Sequence, residues 1–299
     1  MTPLPTPQQL RYLVHLAETG HFGRAAAACA VSQSTLSAGI LTLERQLNAQ
    51  ILDRSAGKHV VFTTLGQELV AKARTALAAL GALAEAADAA RAPMSGPLRL
   101  GIIPTIGPFL LPRLMPQLRQ SYPALRLFLR EDQTEALLLQ LGGGQLDVLL
   151  LAEPCDCAGA ETLAVIRDEF LAALPKGHIL AARETVPPGA LAAEPLLLLE
   201  DGNCLRDQLV AACGPSSGAE FAATSLHTLI QMVAGGLGVT LVPRLAVSAG
   251  ITAGTDVVLR RLEGAGGWRT ISLAWRPGSP RAAEYRALWP LIAAAAAGA

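Results

Sequence analysis

Apolar positions in the first 65 residues recur at helical spacing. Leu10, Leu13, Val14 and Ala17 fall at i, i+3, i+4 and i+7, the stripe of one buried helix face. Gly20 predicts the end of that helix. Phe22 to Ala30 is rich in alanine and predicts a second helix, followed by the brief connection Val31-Ser32. Ser32 is placed to cap a third helix. There Leu36, Ile40, Leu43 and Leu47 recur at intervals of four, three and four, leaving Ser34, Thr35, Ser37, Ala38 and Arg45 largely outside the stripe. Ile51 to Phe62 carries the turn Ser55-Ala56-Gly57-Lys58 between short apolar runs, which predicts a two-strand wing. Thr64-x-x-Gln67 reads as a capping box for the next helix. From about Leu65 to Arg91, the residues Leu69, Ala73, Ala76, Leu80, Leu83 and Ala87 alternate by four and three. That heptad spacing suits a two-helix seam. An amphipathic helix packed on its own domain is the plainer alternative.

The pattern changes after the hinge-like break Pro93-Met94-Ser95-Gly96-Pro97. Short apolar runs at Leu98–Ile103, Leu125–Leu129, Val148–Ala152, Phe170–Leu174, Leu196–Leu199, Val239–Val242 and Ile271–Trp275 read as buried strands. Helical stretches such as Gly107–Ser121 and Glu135–Leu141 separate them. Such alternation predicts an α/β domain with a mostly parallel sheet, in one body or two lobes. The tail Ala293–Ala297 is alanine-rich, and no internal repeat stands out.

Composition narrows the picture. A chain of 299 residues predicts two or three domains. Lysine plus arginine is 24, aspartate plus glutamate 24, and 51% of residues are hydrophobic. This excludes a disordered or collagen-like chain, and also a nucleic-acid binder that works by bulk positive charge. Zero net charge hides a small asymmetry. Residues 1–65 hold five basic and three acidic side chains, or +2, and the remainder 19 against 21, or −2. The bias is mild and proves nothing alone; if the chain has an anionic partner, it points to the N-terminal segment. Mean hydropathy is +0.38, yet the longest uncharged stretch, Phe221 to Pro243, carries Thr224, Ser225, His227, Gln231 and Gly235-Gly236. It makes a poor membrane span. No signal peptide is visible, so a soluble cytoplasmic protein is expected. The five cysteines, Cys29, Cys155, Cys157, Cys204 and Cys213, are then expected as reduced thiols.

Two helices joined by a short turn, the second presenting small polar residues, fit a helix-turn-helix, although an ordinary helical hairpin gives the same spacing. Gln33 can pair with adenine, Ser and Thr can reach bases or phosphates, and Arg54 and Lys58 on the wing can hold phosphates. The run AAAACAVSQSTLSAGILTLERQL, followed by ILDR and TTLG, resembles the N-terminal signature of LysR-type transcriptional regulators. That resemblance implies a winged helix-turn-helix over residues 1–64, a linker and dimerisation helix over 65–92, and a two-lobed effector domain over 93–299, built like a periplasmic binding protein. It implies Gln33, Ser34, Thr35 and Ser37 at the start of a recognition helix, Arg54 and Lys58 in the wing, and Arg24 as a backbone contact. Ser34 and Asn48 depart from the family's usual Pro and Gly. Asn tolerates the left-handed conformation that Gly would serve.

Cys204 and Cys213 are separated by nine residues. Placed on one helix, their α-carbons would stand about 13–14 Å apart, against the roughly 4.4–6.8 Å that a disulfide needs. Joining them would require the segment to unwind, a physical basis for a redox switch. Two unrelated buried cysteines is the plainer reading of the spacing alone. The runs LLLLEDGNCLRDQ, ATSLHTLIQMVAGGLGVTLVP, IPTIGPFLLPRLMPQL and REDQTEALLLQL, however, resemble the peroxide-sensing branch of the same family. The resemblance implies Cys204 as the peroxidatic thiol and Cys213 as the resolving thiol. It also implies Thr105 and Thr134 as hydroxyl partners of peroxide and Asp207 as an orienting group. Arg206 is the nearest cation in sequence, and Arg269 matches an arginine of the branch. The residue before the sensing cysteine is commonly His there. Asn203 carries no charge and shuttles no proton near neutral pH, which predicts a slower sensing step or a different pH dependence.

Cys155-Asp156-Cys157 is expected to be a pair of loop cysteines without a role, and Cys29 a core residue. Thr224-Ser225 reads equally as an anion or effector site and as a simple helix cap. The expectation for the whole chain is a redox-responsive, non-enzymatic regulator with no metal and no cofactor. Its expected partners are double-stranded DNA, further copies of itself in a homotetramer, RNA polymerase, hydrogen peroxide as signal and cellular thiol reductants. A regulator answering to a small organic effector between the lobes, and a cysteine peroxidase, are the rivals.

Overall fold

The computed structural model describes residues 4–53, 60–91, 93–157, 159–214, 222–264 and 267–297. The predicted phosphate contacts Arg54 and Lys58, and the turn at 55–58, lie outside the described residues. By contact density the chain divides into two units, one of residues 1–87 with 142–145 and one of the remainder.

The N-terminal unit is built from α1 (Pro7–Thr19), α2 (Phe22–Ala28), α3 (Gln33–Leu47) and most of α4 (Thr64–Arg91). Thr6 closes a capping box on α1, and Gly20 ends it in the left-handed conformation at φ 60°. Of the predicted stripes Leu13, Val14, Leu36, Ile40 and Leu43 are buried and Leu10, Ala17 and Leu47 partly so, and Tyr12, Leu16 and Ile51 join them in the core. Gly39 allows α3 to lie on α1, because a Cβ there would stand 2.6 Å from the Tyr12 ring. Asn48 ends α3 at φ 48° and ψ 46°, so asparagine does serve the left-handed cap. The wing reduces among the described residues to one antiparallel bridge, Leu52 to Phe62. Glu44 anchors it from α3: its buried Oε1 accepts from the amides of Ile51 at 2.9 Å and Leu52 at 3.2 Å. The cap of α4 is not the predicted Thr64 but Thr63, whose Oγ1 accepts from Gly66 N–H at 2.9 Å. The sequence Thr63-Thr64 offers two equivalent hydroxyls, and the bridge to the wing selects the first: Thr63 N–H donates to the Ile51 carbonyl. In α4, Leu69, Val70, Ala73 and Leu77 pack on the unit's own core. Leu80 and Leu83, 46% and 74% exposed, do not. The plainer reading of the heptad therefore accounts for the first half of the helix, and the later leucines remain exposed.

Among the described residues the second unit contains one eight-stranded mixed sheet, a two-stranded parallel sheet and seven α-helices. In chain order they are β1 (Gly96–Ile102), α5 (Gly107–Ser121), β2 (Leu125–Glu131), α6 (Thr134–Gly142), β3 (Val148–Glu153), β4 (Glu161–Pro175), β5 (Thr185–Val186), α7 (Pro188–Ala192), β6 (Leu198–Leu199), α8 (Cys204–Cys213), β7 (Ala222–Ala223), α9 (Leu226–Ala234), β8 (Thr240–Pro243), α10 (Arg244–Ser248), β9 (Val257–Leu262), β10 (Trp268–Trp275) and α11 (Ala282–Ala297). The strand order is β2-β1-β3-β10-β4-β9-β5, with β8 also on β4. The expected mostly parallel sheet is corrected here. β1 is parallel to β2 and β3, but β10 runs antiparallel to β3 and β4, and β4 antiparallel to β8 and β9. Apolar runs announce strands without their direction, and two long returning strands reverse it.

Those strands also make the two lobes. Residues 161–169 of β4 pair with β10, whereas Phe170–Pro175 pair with β8 and β9. One strand thus crosses from the first sheet region to the second, and β10 brings the chain back. β9 escaped the sequence reading because Arg260 and Arg261 interrupt its apolar run. The alanine-rich tail is α11, with Tyr285, Leu288, Ile292 and Ala295 buried at three- and four-residue spacing. Phe109 of α5 stacks on His227 of α9 at 5.4 Å, joining the lobes away from the strands. Among the described residues no single helix is long and apolar enough to cross a membrane.

Candidate functional site

Cys204 is the first residue of α8, and Cys213 the last. The separation expected for one helix is thus present, and both cysteines are free thiols. Gly202, at φ 87°, turns the chain into the helix, and its missing Cβ leaves room for Gln133, whose Oε1 would otherwise stand 2.5 Å away. Burial raises the pKa of the Cys204 thiol above its ordinary value. The Arg269 charge is the largest influence in the opposite direction, followed by the Thr134 hydroxyl and the Leu205 backbone N–H, while Asp207 adds to the rise. Burial outweighs the cation, so the geometry does not store a free thiolate. It provides groups that stabilise one when it forms.

Arg269 is fully buried on β10. Its Nε donates to Asp168 Oδ2 at 3.0 Å, Nη1 to Thr105 Oγ1 at 2.8 Å and Nη2 to the Thr105 carbonyl at 3.0 Å. Thr105 uses a lone pair on Arg269, so its own O–H remains to donate elsewhere. The Thr134 oxygen is buried at the start of α6 and has no nitrogen or oxygen partner among the described residues. The structure therefore gathers four of the sequence candidates, Cys204, Thr105, Thr134 and Arg269, from α8, the β1–α5 connection, α6 and β10. These elements belong to both lobes.

Other candidates stand apart. Arg206 turns to Asp201, Nε to Oδ1 at 2.9 Å, and donates to the Leu199 carbonyl. Asn203 occupies the N-cap of α8 without a side-chain cap, and its Nδ2 donates to the Glu200 carbonyl at 3.3 Å. Asp207 is exposed in the first turn of α8 and acts on Cys204 by charge. Cys213 is buried, and burial pushes its thiol up to about 11. Ser225 caps α9 by accepting from Thr228 N–H at 3.2 Å, which accounts for Thr224-Ser225 as a cap.

Two residues were missed. Asp168 lies 101 positions from its partner Arg269 and carries no motif. Gln208 follows Cys204 by four residues, one helical turn, which places the two on one face. It is 8% exposed, and neither amide atom has a partner among the described residues. The i, i+4 spacing was the available signal. The expectation of reduced thiols throughout is also corrected: Cys155 and Cys157 form a disulfide with α-carbons 5.4 Å apart. With one intervening residue, a turned backbone brings the two α-carbons inside the bonding range without help from distant segments. Cys29 is half-buried against the N-terminal core.

On the N-terminal unit, Gln33, Ser34 and Thr35 are exposed at the start of α3, and Ser37 is half-buried. Ser32 Oγ accepts from Thr35 N–H at 3.1 Å and lies 2.8 Å from the hydroxyls of both Ser34 and Thr35. Gln33 is the one with an amide unused by this cap. Arg24 is exposed and donates to the Thr19 carbonyl. His21 caps α2, its Nδ1 accepting from Gly23 N–H at 3.0 Å.

Residues 7–67 match the model of the bacterial regulatory helix-turn-helix protein, lysR family, and residues 91–297 that of the LysR substrate binding domain. An Escherichia coli (strain K12) protein named DNA-binding transcriptional dual regulator OxyR is 44% identical over 290 residues, covering 96% of this chain and 94% of its own. A Streptomyces viridosporus protein named probable hydrogen peroxide-inducible genes activator is 43% identical over 288 residues, covering 95% of this chain and 92% of its own. Among solved structures, a full-length OxyR variant from Pseudomonas aeruginosa superposes with a TM-score of 0.79 at 36% identity, covering 97% of this chain and 98% of that one. A Corynebacterium glutamicum OxyR mutant described as H2O2-bound gives a TM-score of 0.67 at 33% identity, covering 99% of this chain and 94% of that one. The chain belongs to the LysR family of bacterial transcriptional regulators, in its OxyR branch.

Proposed function

We propose that this regulator senses hydrogen peroxide through Cys204 and Cys213 and answers by changing its DNA contacts and subunit packing. The observation that carries the reading is the placement of Cys204 beside Arg269 and Thr134 at one end of a helix whose other end is Cys213. The Cys204 thiolate attacks one peroxide oxygen and the O–O bond breaks. The sulfur becomes a sulfenic acid, and the departing hydroxide takes up a proton as water. Arg269 and the hydroxyls of Thr105 and Thr134 stabilise the negative charge as it moves from sulfur to oxygen. Cys213 then attacks the sulfenic sulfur, a second water leaves, and the disulfide forms. Two thiols and one peroxide become one disulfide and two waters. The two α-carbons start about 13–14 Å apart on the helix, so closure to roughly 4.4–6.8 Å unwinds α8. The raised pKa of Cys213 keeps that thiol protonated until the unwinding exposes it.

The same reading assigns residues 1–64 to DNA, 65–92 to subunit pairing and 93–299 to sensing. Gln33, with Ser34, Thr35 and Ser37, enters the major groove, and Arg24, Arg54 and Lys58 hold phosphates. The oligomer is a tetramer that binds two-fold related half-sites and acts on RNA polymerase in the cytoplasm. Cellular thiol reductants return the disulfide to thiols. The peroxide is a signal consumed once per switch, not a substrate turned over, so the chain is not an enzyme.

The deciding experiment is intact mass and free-thiol count before and after one equivalent of hydrogen peroxide, with Cys204→Ser as control. With Cys155 and Cys157 already joined, three thiols are expected before treatment and one after, with a mapped Cys204–Cys213 bridge that is absent in the control. Survival of both thiols would sink the peroxide reading and leave a LysR regulator that answers to a small effector.

A further inference from the structure

We infer that Asp168 is the positioning residue of this site: its carboxylate fixes the Arg269 guanidinium beside Cys204 and ties it to both lobes. The inference rests on the sensing role of Cys204. Asp168 and Arg269 face each other in register across β10 and β4, the strand that passes between the lobes. Both side chains are closed to solvent, at 1% and 0% exposure.

Each carboxylate oxygen has its own donor. Oδ2 accepts from Arg269 Nε at 3.0 Å, and Oδ1 from Leu245 N–H at 2.9 Å, at the start of α10 in the second lobe. At its other edge Arg269 is held by Thr105 of the first lobe, through Nη1 and Nη2. A planar guanidinium held at both edges keeps no rotational freedom. Its approach to Cys204 is then set by its partners rather than by its own rotamer. Thr105 offers only dipoles, so Asp168 is also the counter-charge of a desolvated cation.

Asp168 needs two acceptors at once. Asparagine has one oxygen and one NH2, and would set donor against donor at either Arg269 Nε or Leu245 N–H. Positioning also differs in sign from neutralisation. A carboxylate that merely neutralised Arg269 would weaken the pull on Cys204, and its removal would lower the thiol pKa. A carboxylate that holds Arg269 in place would, on removal, raise it. The groups that act on the thiol are Arg269 from β10, Thr134 from α6, and Leu205 N–H and Asp207 from α8. Arg269 is the one cation among them.

The test follows alkylation of Cys204 by iodoacetamide against pH in the full-length reduced protein, mapped by mass spectrometry. Parent, Asp168→Asn, Arg269→Gln and the double variant are compared. Asp168→Asn should raise the midpoint and slow alkylation near neutral pH by about tenfold. The double variant should match Arg269→Gln alone, because Asp168 acts through Arg269. An unchanged or lowered midpoint, or a further shift in the double variant, would overturn the inference. If Asp168→Asn does not fold, Asp168→Glu keeps the charge while displacing the carboxylate by one methylene, and the same rise is expected. Peroxide oxidation of the parent is scored separately. If no Cys204–Cys213 disulfide forms there, the sensing role fails, while the alkylation profiles still decide what Asp168 does.

Discussion

At the scale of single residues, the two thiols of α8 share a raised pKa but not its consequence. Cys204 has a cation, a hydroxyl and a backbone N–H beside it, so its burial is partly opposed; for Cys213 burial is the only influence, which leaves it up to about 11 against an ordinary 9.0. A folded pKa above the unfolded one contributes stability that is complete below about pH 9 and lost as pH rises through about 11, since the unfolded chain ionises first. The loss amounts to roughly 2–3 kcal/mol. Urea denaturation of the reduced protein across about pH 8–11 should show it, and Cys213→Ser should flatten that part of the slope. An identical slope in both proteins would mean that the Cys213 thiol titrates as if exposed. Asn203 is legible as a departure from the branch, but its amide bonds to Glu200 and leaves the charges on Cys204 to Arg269 and Asp207. Arg206, the cation nearest in sequence, is spent on Asp201. Proximity along a helix does not decide which way a long side chain turns.

At the scale of elements, periodicity was sufficient wherever one face is buried. The apolar stripes of α1 and α3, the stop at Gly20 and the left-handed end at Asn48 all follow from residue type and spacing. Contact between those helices adds a requirement that spacing cannot show. Gly39 faces the Tyr12 ring, and Gly39→Ala places a methyl 2.6 Å from it. We expect a loss of about 1–3 kcal/mol, read as a lower Tm of the full-length protein; an unchanged Tm would mean that Tyr12 moves aside freely. The heptad of α4 divides. Its first turns belong to their own core, and its later leucines, Leu80 and Leu83, remain exposed. If those turns form the subunit seam, Leu83→Glu should shift the mass measured by light scattering toward a smaller species, whereas an unchanged mass would place the seam elsewhere.

At the scale of the whole molecule, the arrangement of the sheet makes the site. β4 crosses between the lobes beside β10, and their facing residues Asp168 and Arg269 meet where α8 brings in Cys204 and α6 brings in Thr134. Such a site is sensitive to both lobes at once, and α8 cannot unwind without disturbing contacts at the junction. What the sequence determined by itself is local: the helix-turn-helix with its caps, the strand and helix alternation, and the nine-residue spacing of Cys204 and Cys213. Each rests on interactions within a few residues, or on motifs whose resemblance brings its own positions, as with Thr105, Thr134 and Arg269. The tertiary structure alone decided the direction of the strands, the counter-charge on Arg269, the burial of Gln208 and the exposed half of α4. These depend on which distant segments share a surface, and on which of two equivalent partners, Thr63 or Thr64, a neighbour selects. The Cys155–Cys157 bond lies between the two classes. Its geometry is local, but nothing in residue type separates two loop thiols that bond from two that do not.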